Sequence, residues 1–535
     1  MVKIENVTFN YGETSEQCLR GISLRIKKGE CVLLCGESGC GKTSVTRLVN
    51  GLIPHFYEGE FSGEVVVAGR DVSVTTPDAL AGIVGSVFQN PRSQFFSLDT
   101  TGEIAFGLEN LGLPSAYIRK RVRETAVALG IERLLGRDIF ALSGGEKQLV
   151  AIASAYALAP KIFVFDEPSS NLDWDAVVEL AGIMLRLKQE GRTLIVAEHR
   201  LYWLSGLIDR VVCMESGQIK HEWPADEFLT MPESERRGLG LRVLNPGELY
   251  PTASIVDPGG FRSEASAAVS GFFHPEMVIA NQDVLHHEAV IPGSNALRVD
   301  AKPQEQAAPY LKVAGLSAQY GRRNHVLHDI SFEVSPGEAV AILGGNGAGK
   351  TTMARTLCGL HSKSSGEISL YGINLPAKAR AGPFYLVMQE SGYQLFTDSV
   401  ENELLLSKNR RSRPANEKVE DILESLSLTD FRERHPMSLS GGQKQRTAIG
   451  TAMAHNAQIL IFDEPTSGLD YRNMQRVVAV IERLRAEGKT IFIITHDYEL
   501  LLAACTRALI LEDGNVKSDF PVTCENVNKV REVFS

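Results

Sequence analysis

The 535-residue chain, with 44% hydrophobic and 22% charged residues, is longer than one packed core usually runs, so two domains plus connecting material are expected. A mean hydropathy of -0.06, without an apolar run of membrane-spanning length, excludes a chain that threads a bilayer. The formal net charge of -10 argues against nonspecific nucleic-acid binding, and no nucleic-acid partner is expected.

The N-terminus, Met1 to Thr8, alternates apolar and polar residues like a strand and lacks the pattern of a secretory signal, which predicts a cytosolic chain. The apolar strand Cys31-Val-Leu-Leu-Cys35 then runs into Gly36-Glu-Ser-Gly39-Cys-Gly41-Lys42-Thr43, followed by a helical pattern. In that context a Gly-x-x-x-x-Gly-Lys-Thr loop wraps its amides around phosphate oxygens. Its Lys reaches the β- and γ-phosphates, and its Thr hydroxyl reaches Mg2+. The eight cysteines form no CxxC pair and read as buried reduced thiols. Cys40 is the exception, because loop amides around it are expected to lower its pKa and make it sensitive to oxidation.

Further along, Ser143-Gly144-Gly145-Glu146 fits a capping box at a helix start, where adjacent glycines expose amide donors at the positive end of the helix dipole. Such donors suit a γ-phosphate presented from outside the first loop. Ile162-Phe-Val-Phe165 is a continuous apolar run of the kind found in central parallel strands, and it ends in Asp166-Glu167. The pair divides its labour: Asp166 orients Mg2+, and Glu167 polarises the attacking water.

All of this recurs. Ala339-Val-Ala-Ile-Leu343 leads to Gly344-Gly-Asn-Gly347-Ala-Gly349-Lys350-Thr351. Ser440-Gly441-Gly442-Gln443 answers the glycine box, Asp463-Glu464 the acidic pair, and Thr495-His496 answers Glu198-His199. Four motifs in one order, twice, predict a first domain at residues 1–232, a second at 310–535, and a glycine- and proline-punctuated connector at 233–309. In the connector, His286-His287 lacks the third partner a metal site needs.

At this point the chain resembles the ABC ATPase superfamily over both halves, through these motifs, the Ser-Asn-Leu-Asp173 and Ser-Gly-Leu-Asp470 loops and the histidines that follow. The resemblance implies an α/β fold of two tandem P-loop NTPase (ABC ATPase) domains. Each has a mainly parallel core sheet, an antiparallel β subdomain and a helical signature subdomain. It implies a Mg2+-dependent ATPase whose two domains meet head to tail, so that Lys42 shares ATP with Ser440-Gly441-Gly442, and Lys350 shares it with Ser143-Gly144-Gly145. His199 and His496 contact the γ-phosphate, and Gln89 and Gln389 sense Mg2+ and the attacking water. Ser44 and Thr352 complete the phosphate loops, and Tyr11 and Tyr320 stack on adenine. Both acidic pairs and both histidines are intact, although the halves differ at Leu149 against Arg446, Asn171 against Gly468 and Arg200 against Asp497.

Phe88-Gln89-Asn-Pro-Arg-Ser-Gln94-Phe95-Phe96, with its shorter echo Met388-Gln389-Glu-Ser-Gly-Tyr-Gln394-Leu395-Phe396, and Glu198-His199-Arg200-Leu-Tyr-Trp203 resemble the fused ATPases of energy-coupling-factor (ECF) importers. That resemblance implies a vitamin, vitamin-precursor or metal-ion importer. It also implies partnership with a transmembrane coupling subunit and a substrate-capturing membrane subunit, and a peripheral position on the cytoplasmic membrane face. Phe95-Phe96 and Leu395-Phe396 are then expected to help form a groove on each domain that receives a short helix of a membrane subunit. A soluble ribosome-associated factor is the first alternative, disfavoured by the absence of a long charged helical connector. The fused ATPase of a sugar-type importer is the second, disfavoured because both catalytic sets are complete.

Overall fold

In the computed structural model, residues 1–12, 18–170, 172–245, 310–321, 324–362, 364–406, 416–455, 457–523 and 525–533 are described. Asn171, His286-His287 and nearly all of the connector lie outside them.

Each half is built on a six-stranded sheet. In the first the order is Gln218–Pro224, Arg210–Glu215, Cys31–Gly36, Thr193–Ala197, Ile162–Asp166, Val84–Val87. Every neighbouring pair is parallel except the outermost, Gln218–Pro224 on Arg210–Glu215. The second half repeats this with Asn515–Pro521, Arg507–Glu512, Ala339–Leu343, Thr490–Ile494, Ile459–Asp463 and Phe384–Val387. The strand before each phosphate loop is therefore central and covered on both faces, which is why it is apolar throughout.

The period of two sorts its side chains between layers. Cys31, Leu33 and Cys35 join the helical core, whereas Val32 and Leu34 join the opposite core, with Val45 and Leu48 of helix Lys42–Val49 and the antiparallel strands. Ala339, Ala341 and Leu343 separate from Val340 and Ile342 in the same way. The antiparallel layer is four-stranded in each half, with Val2–Tyr11 between Leu19–Ile26 and Gly59–Val67, and Leu311–Tyr320 between Asn324–Val334 and Ser364–Leu370. Among the described residues no helix is long and apolar enough to cross a membrane.

The first half does not stop at residue 232. Helix Glu233–Gly238 follows, and after it Leu241, Arg242, Val243 and Leu244 are all buried.

Candidate functional site

The C-terminal ends of four adjacent strands deliver the phosphate loop, the histidine, the acidic pair and the glutamine to one place in each half, as open parallel sheets do. The phosphate loop begins at Gly36, with φ of 131°, 85° and 105° at Gly36, Gly39 and Gly41, and the second loop repeats this with 137°, 88° and 102° at Gly344, Gly347 and Gly349. A Cβ at Gly36 would lie 2.2 Å from the Met214 carbonyl and one at Gly344 2.2 Å from that of Leu511, so both are steric requirements; at Gly39 and Gly347 the space is open. Lys42 Nζ donates to the Gly36 and Glu37 carbonyls at 3.0 and 2.9 Å, and Lys350 Nζ to Gly344 and Gly345 at 2.6 and 2.9 Å.

Thr43 Oγ1 donates to Asp166 Oδ1 at 3.1 Å, and Thr351 Oγ1 to Asp463 Oδ2 at 3.1 Å. Each pair sets a hydroxyl and a carboxylate oxygen side by side. Hard oxygen donors in small number suit Mg2+, which takes its remaining ligands from phosphate and water. Among the described residues no cluster of three or more His, Cys, Asp or Glu competes for a metal.

Glu167 and Glu464 follow in a left-handed conformation, φ 47° and 52°, that a non-glycine residue rarely adopts and that marks constrained functional positions. Burial, and then the charge of Asp166, push the Glu167 carboxyl up to about 8 against the pull of Lys42. Burial pushes Glu464 up to about 7 against the pull of Arg200. His199 Nε2 stands 3.5 Å from Glu167 Oε1 and His496 Nε2 3.7 Å from Glu464 Oε1. Burial, reinforced by Lys42 and Lys350 respectively, holds both imidazoles well below their usual range, hence neutral. His199 Nε2 and Glu464 Oε1 are buried without a hydrogen-bond partner among the described residues, which is the state of groups shaped to meet a further polar partner. Gln89 Nε2 donates to Glu167 Oε2 at 2.6 Å.

Both glycine boxes form the expected reciprocal caps, Ser143 with Glu146 and Ser440 with Gln443. Gly145 and Gly442 are packed, against Ala176 and Leu469, whereas a Cβ at Gly441 would meet open space. The halves meet across these elements. Asp470 Oδ2 accepts the Ser38 amide at 2.6 Å, and Asp173 Oδ2 accepts that of Asn346 at 2.9 Å, so each aspartate of one half holds the phosphate loop of the other. Gly144 of the first half lines a cavity of about 160 Å³ together with Asn346 and Gln389 of the second. Gly468 lies so close to the first half that a Cβ there would meet Gln89 Nε2 at 2.8 Å and Glu167 Oε2 at 3.0 Å.

Two expectations are corrected. Burial raises the Cys40 thiol pKa and outweighs the opposing effect of Lys42, so the thiol is the less reactive form. Leu395 is buried and Phe95 packs against the helical core, whereas the rings one residue on, Phe96 and Phe396, are 73% and 77% exposed. The two tyrosines are also unlike: Tyr11 packs edge-on against Phe9 and Tyr57 with its hydroxyl bonded to Ser44 and Arg47, while Tyr320 is exposed beside His361.

Sequence reading passed over Gln94 and Gln394 as chemistry. Each staples its own loop, accepting from the amide of Phe88 or Met388 and donating to the carbonyl of Ser86 or Leu386. The difference between Arg200 and Asp497, noted in the sequence, belongs to a charge exchange around the histidines whose partners the sequence does not give. Glu198, preceding His199, accepts the Ser169 hydroxyl at 2.7 Å; in the second half Asp497, following His496, accepts the Thr466 hydroxyl at 2.7 Å. The signal was present in Glu198-His-Arg200 set against Thr495-His-Asp497.

The ABC transporter family model matches residues 19–170 and again 327–467. A putative ABC transporter ATP-binding protein of Treponema denticola is 44% identical over 96% of both chains, and one of Methanosarcina mazei is 34% identical over 97% of this chain and 89% of its own. The solved structure of an archaeal ribosome recycling factor, aABCE1, covers 99% of this chain and 92% of its own, with a TM-score of 0.60 at 20% identity, a likeness of fold alone. The repeated loops, acidic strands and glycine boxes, matched twice along one chain, make this polypeptide a member of the ABC transporter family, an ATP-binding ATPase with two of the family's domains in tandem.

Proposed function

We propose that the chain hydrolyses ATP with Mg2+ at two composite sites formed head to tail, and that this drives a membrane importer of the ECF type. The observation that carries the first part is the crossed pair of contacts, Asp470 to Ser38 and Asp173 to Asn346. One site then joins Lys42, Thr43, Asp166, Glu167, His199 and Gln89 to Ser440-Gly441-Gly442. The other joins Lys350, Thr351, Asp463, Glu464, His496 and Gln389 to Ser143-Gly144-Gly145.

Thr43 and Asp166, or Thr351 and Asp463, would hold Mg2+, with Gln89 or Gln389 sensing it, and the ion would supply neutralisation of phosphate charge. The chain's own residues do the rest. Loop amides and the lysine hold the phosphates, and the signature serine and glycine amides close over the γ-phosphate from the other domain. Glu167 or Glu464 in its carboxylate form takes a proton from the attacking water. A carboxyl raised toward neutrality by burial is a stronger base than one in solution. The neutral imidazole of His199 or His496 holds the γ-phosphate without competing for that proton.

The import role is supported by the resemblance of the Gln89–Phe96 and Glu198–Trp203 segments to ECF ATPases and by relatives that bear transporter names. Phe96, stacked on Phe106 at 4.8 Å, and the exposed Phe396 present apolar rings one short loop away from Gln89 and Gln389. They suit a helix of a transmembrane coupling subunit, which itself works with a substrate-capturing membrane subunit. This arrangement sets the chain on the cytoplasmic face of the membrane. Copurification from membranes with mass identification of the bound subunits tests it. Recovery of membrane subunits supports import, and recovery of ribosomes in their place would favour the ribosome-associated reading.

A further inference from the structure

The stretch after helix Glu233–Gly238 lies between the two halves and faces both. Leu241 and Leu244, 4% and 7% exposed, belong to the helical core of the first half. Arg242, 2% exposed, points into the second. Its Nη1 donates to Asp497 Oδ2 at 2.7 Å, and its Nε and Nη2 both donate to the Leu469 carbonyl, at 3.1 and 2.9 Å. The next amide, Val243, donates to Glu499 Oε1 at 3.2 Å. A buried guanidinium is tolerated when its donors are satisfied and its charge is answered. Asp497 answers it, and Glu499 stands 3.9 Å away.

These contacts bracket one loop. Asp497 receives the Thr466 hydroxyl, and Arg242 holds Leu469. Asp470, the next residue, holds the Ser38 amide of the first phosphate loop. On the flank, Arg472 reaches the Gly238 carbonyl at 3.5 Å and pairs with Glu37 of the same phosphate loop at 2.5 Å. The 241–244 stretch, the 466–470 loop and the Lys42 loop therefore form one connected network. The other side is built differently. Gly345 and Asp175 stand where Glu37 and Arg472 stand, so that pair is not repeated there, and the ion pair that joins the halves beside Asn346, Arg92 with Glu390, comes from other loops and does not touch the phosphate loop. Arg200 stands where Asp497 stands and bonds the Ser169 carbonyl of its own half at 3.3 Å.

We propose that Arg242 is a positioning residue that ties the 466–470 loop over the first phosphate loop, so that the Lys42 side stays assembled while the halves part first at the Lys350 side. The naming of these sides as nucleotide sites rests on the proposed function; the mechanical asymmetry does not.

Hydrogen exchange of the full chain without nucleotide, read by mass spectrometry, tests it, because local opening sets exchange rates. Removing Arg242 alone leaves a buried carboxylate, so the main variant is Arg242→Met with Asp497→Asn, which removes both charges and keeps a residue able to cap helix Tyr498–Ala504. Exchange at residues 36–41 and 466–473 is expected to rise at least tenfold, with residues 344–349 and 169–176 unchanged within twofold. Arg242→Lys, which keeps the charge and loses the fork onto Leu469, is expected to give the same pattern at smaller amplitude. A rise of similar size on both sides, or no rise on either, overturns the proposal. Because no nucleotide is added, the result stands whether or not the catalytic assignments do.

Discussion

Replacing Glu167 and Glu464 by Gln tests catalysis and electrostatics together. Raising a glutamate from its usual 4.5 to about 8, as at Glu167, corresponds to about 5 kcal/mol of preference for the protonated form in the folded protein, and a rise to about 7 at Glu464 to about 3 kcal/mol. The folded chain then binds these protons more tightly than the unfolded chain. Their contribution to stability is full below pH 4.5 and is lost as pH rises through about 7 to 8. Glutamine does not titrate, so the double variant escapes that loss. Urea unfolding from pH 5 to pH 9 should show the variant gaining on the parent by several kcal/mol across this range. ATP turnover should fall at least 100-fold while ATP binding is retained, because the carboxylates act on water rather than on the nucleotide. Retained turnover would refute their role as bases. A stability difference independent of pH would refute the burial origin of the shift.

Gly468→Ala places a Cβ against Gln89 and Glu167 at a backbone φ of 68° and should lower steady-state ATPase at least tenfold, with the far-UV spectrum unchanged. Lys42→Ala and Ser143→Arg should each disable a different site, so nucleotide crosslinking in the two variants should lose complementary, not identical, labels. Phe96→Ser with Phe396→Ser should weaken copurification with membrane subunits at least tenfold and leave ATPase of the isolated chain within twofold. Phe95→Ser with Leu395→Ser should lower thermal stability, since Leu395 is buried and Phe95 packs on the core.

Much of the site was legible because its parts are backbone devices with strict local demands. Gly36 and Gly344 admit no side chain, and the Ser143 and Ser440 boxes cap helices, so spacing alone revealed them. The apolar strands were legible too, because burial on both faces leaves no polar alternation. What stayed hidden depends on partners far apart in the chain. Phe95 and Phe96 are chemically alike, so which ring packs on the core and which is exposed shows only once the chain is folded. Cys40 sits in a loop rich in amides, yet desolvation outweighs them, a balance that burial alone reveals. Arg242 is an ordinary arginine in sequence, and its partners Asp497 and Leu469 come from the other half.

The most direct test of the two crossed sites is an experimental structure of the Glu167→Gln, Glu464→Gln chain with Mg2+ and ATP. The account predicts one nucleotide contacting Lys42 and Ser440, and a second contacting Lys350 and Ser143. A nucleotide contacting Lys42 and Ser143 together would contradict it.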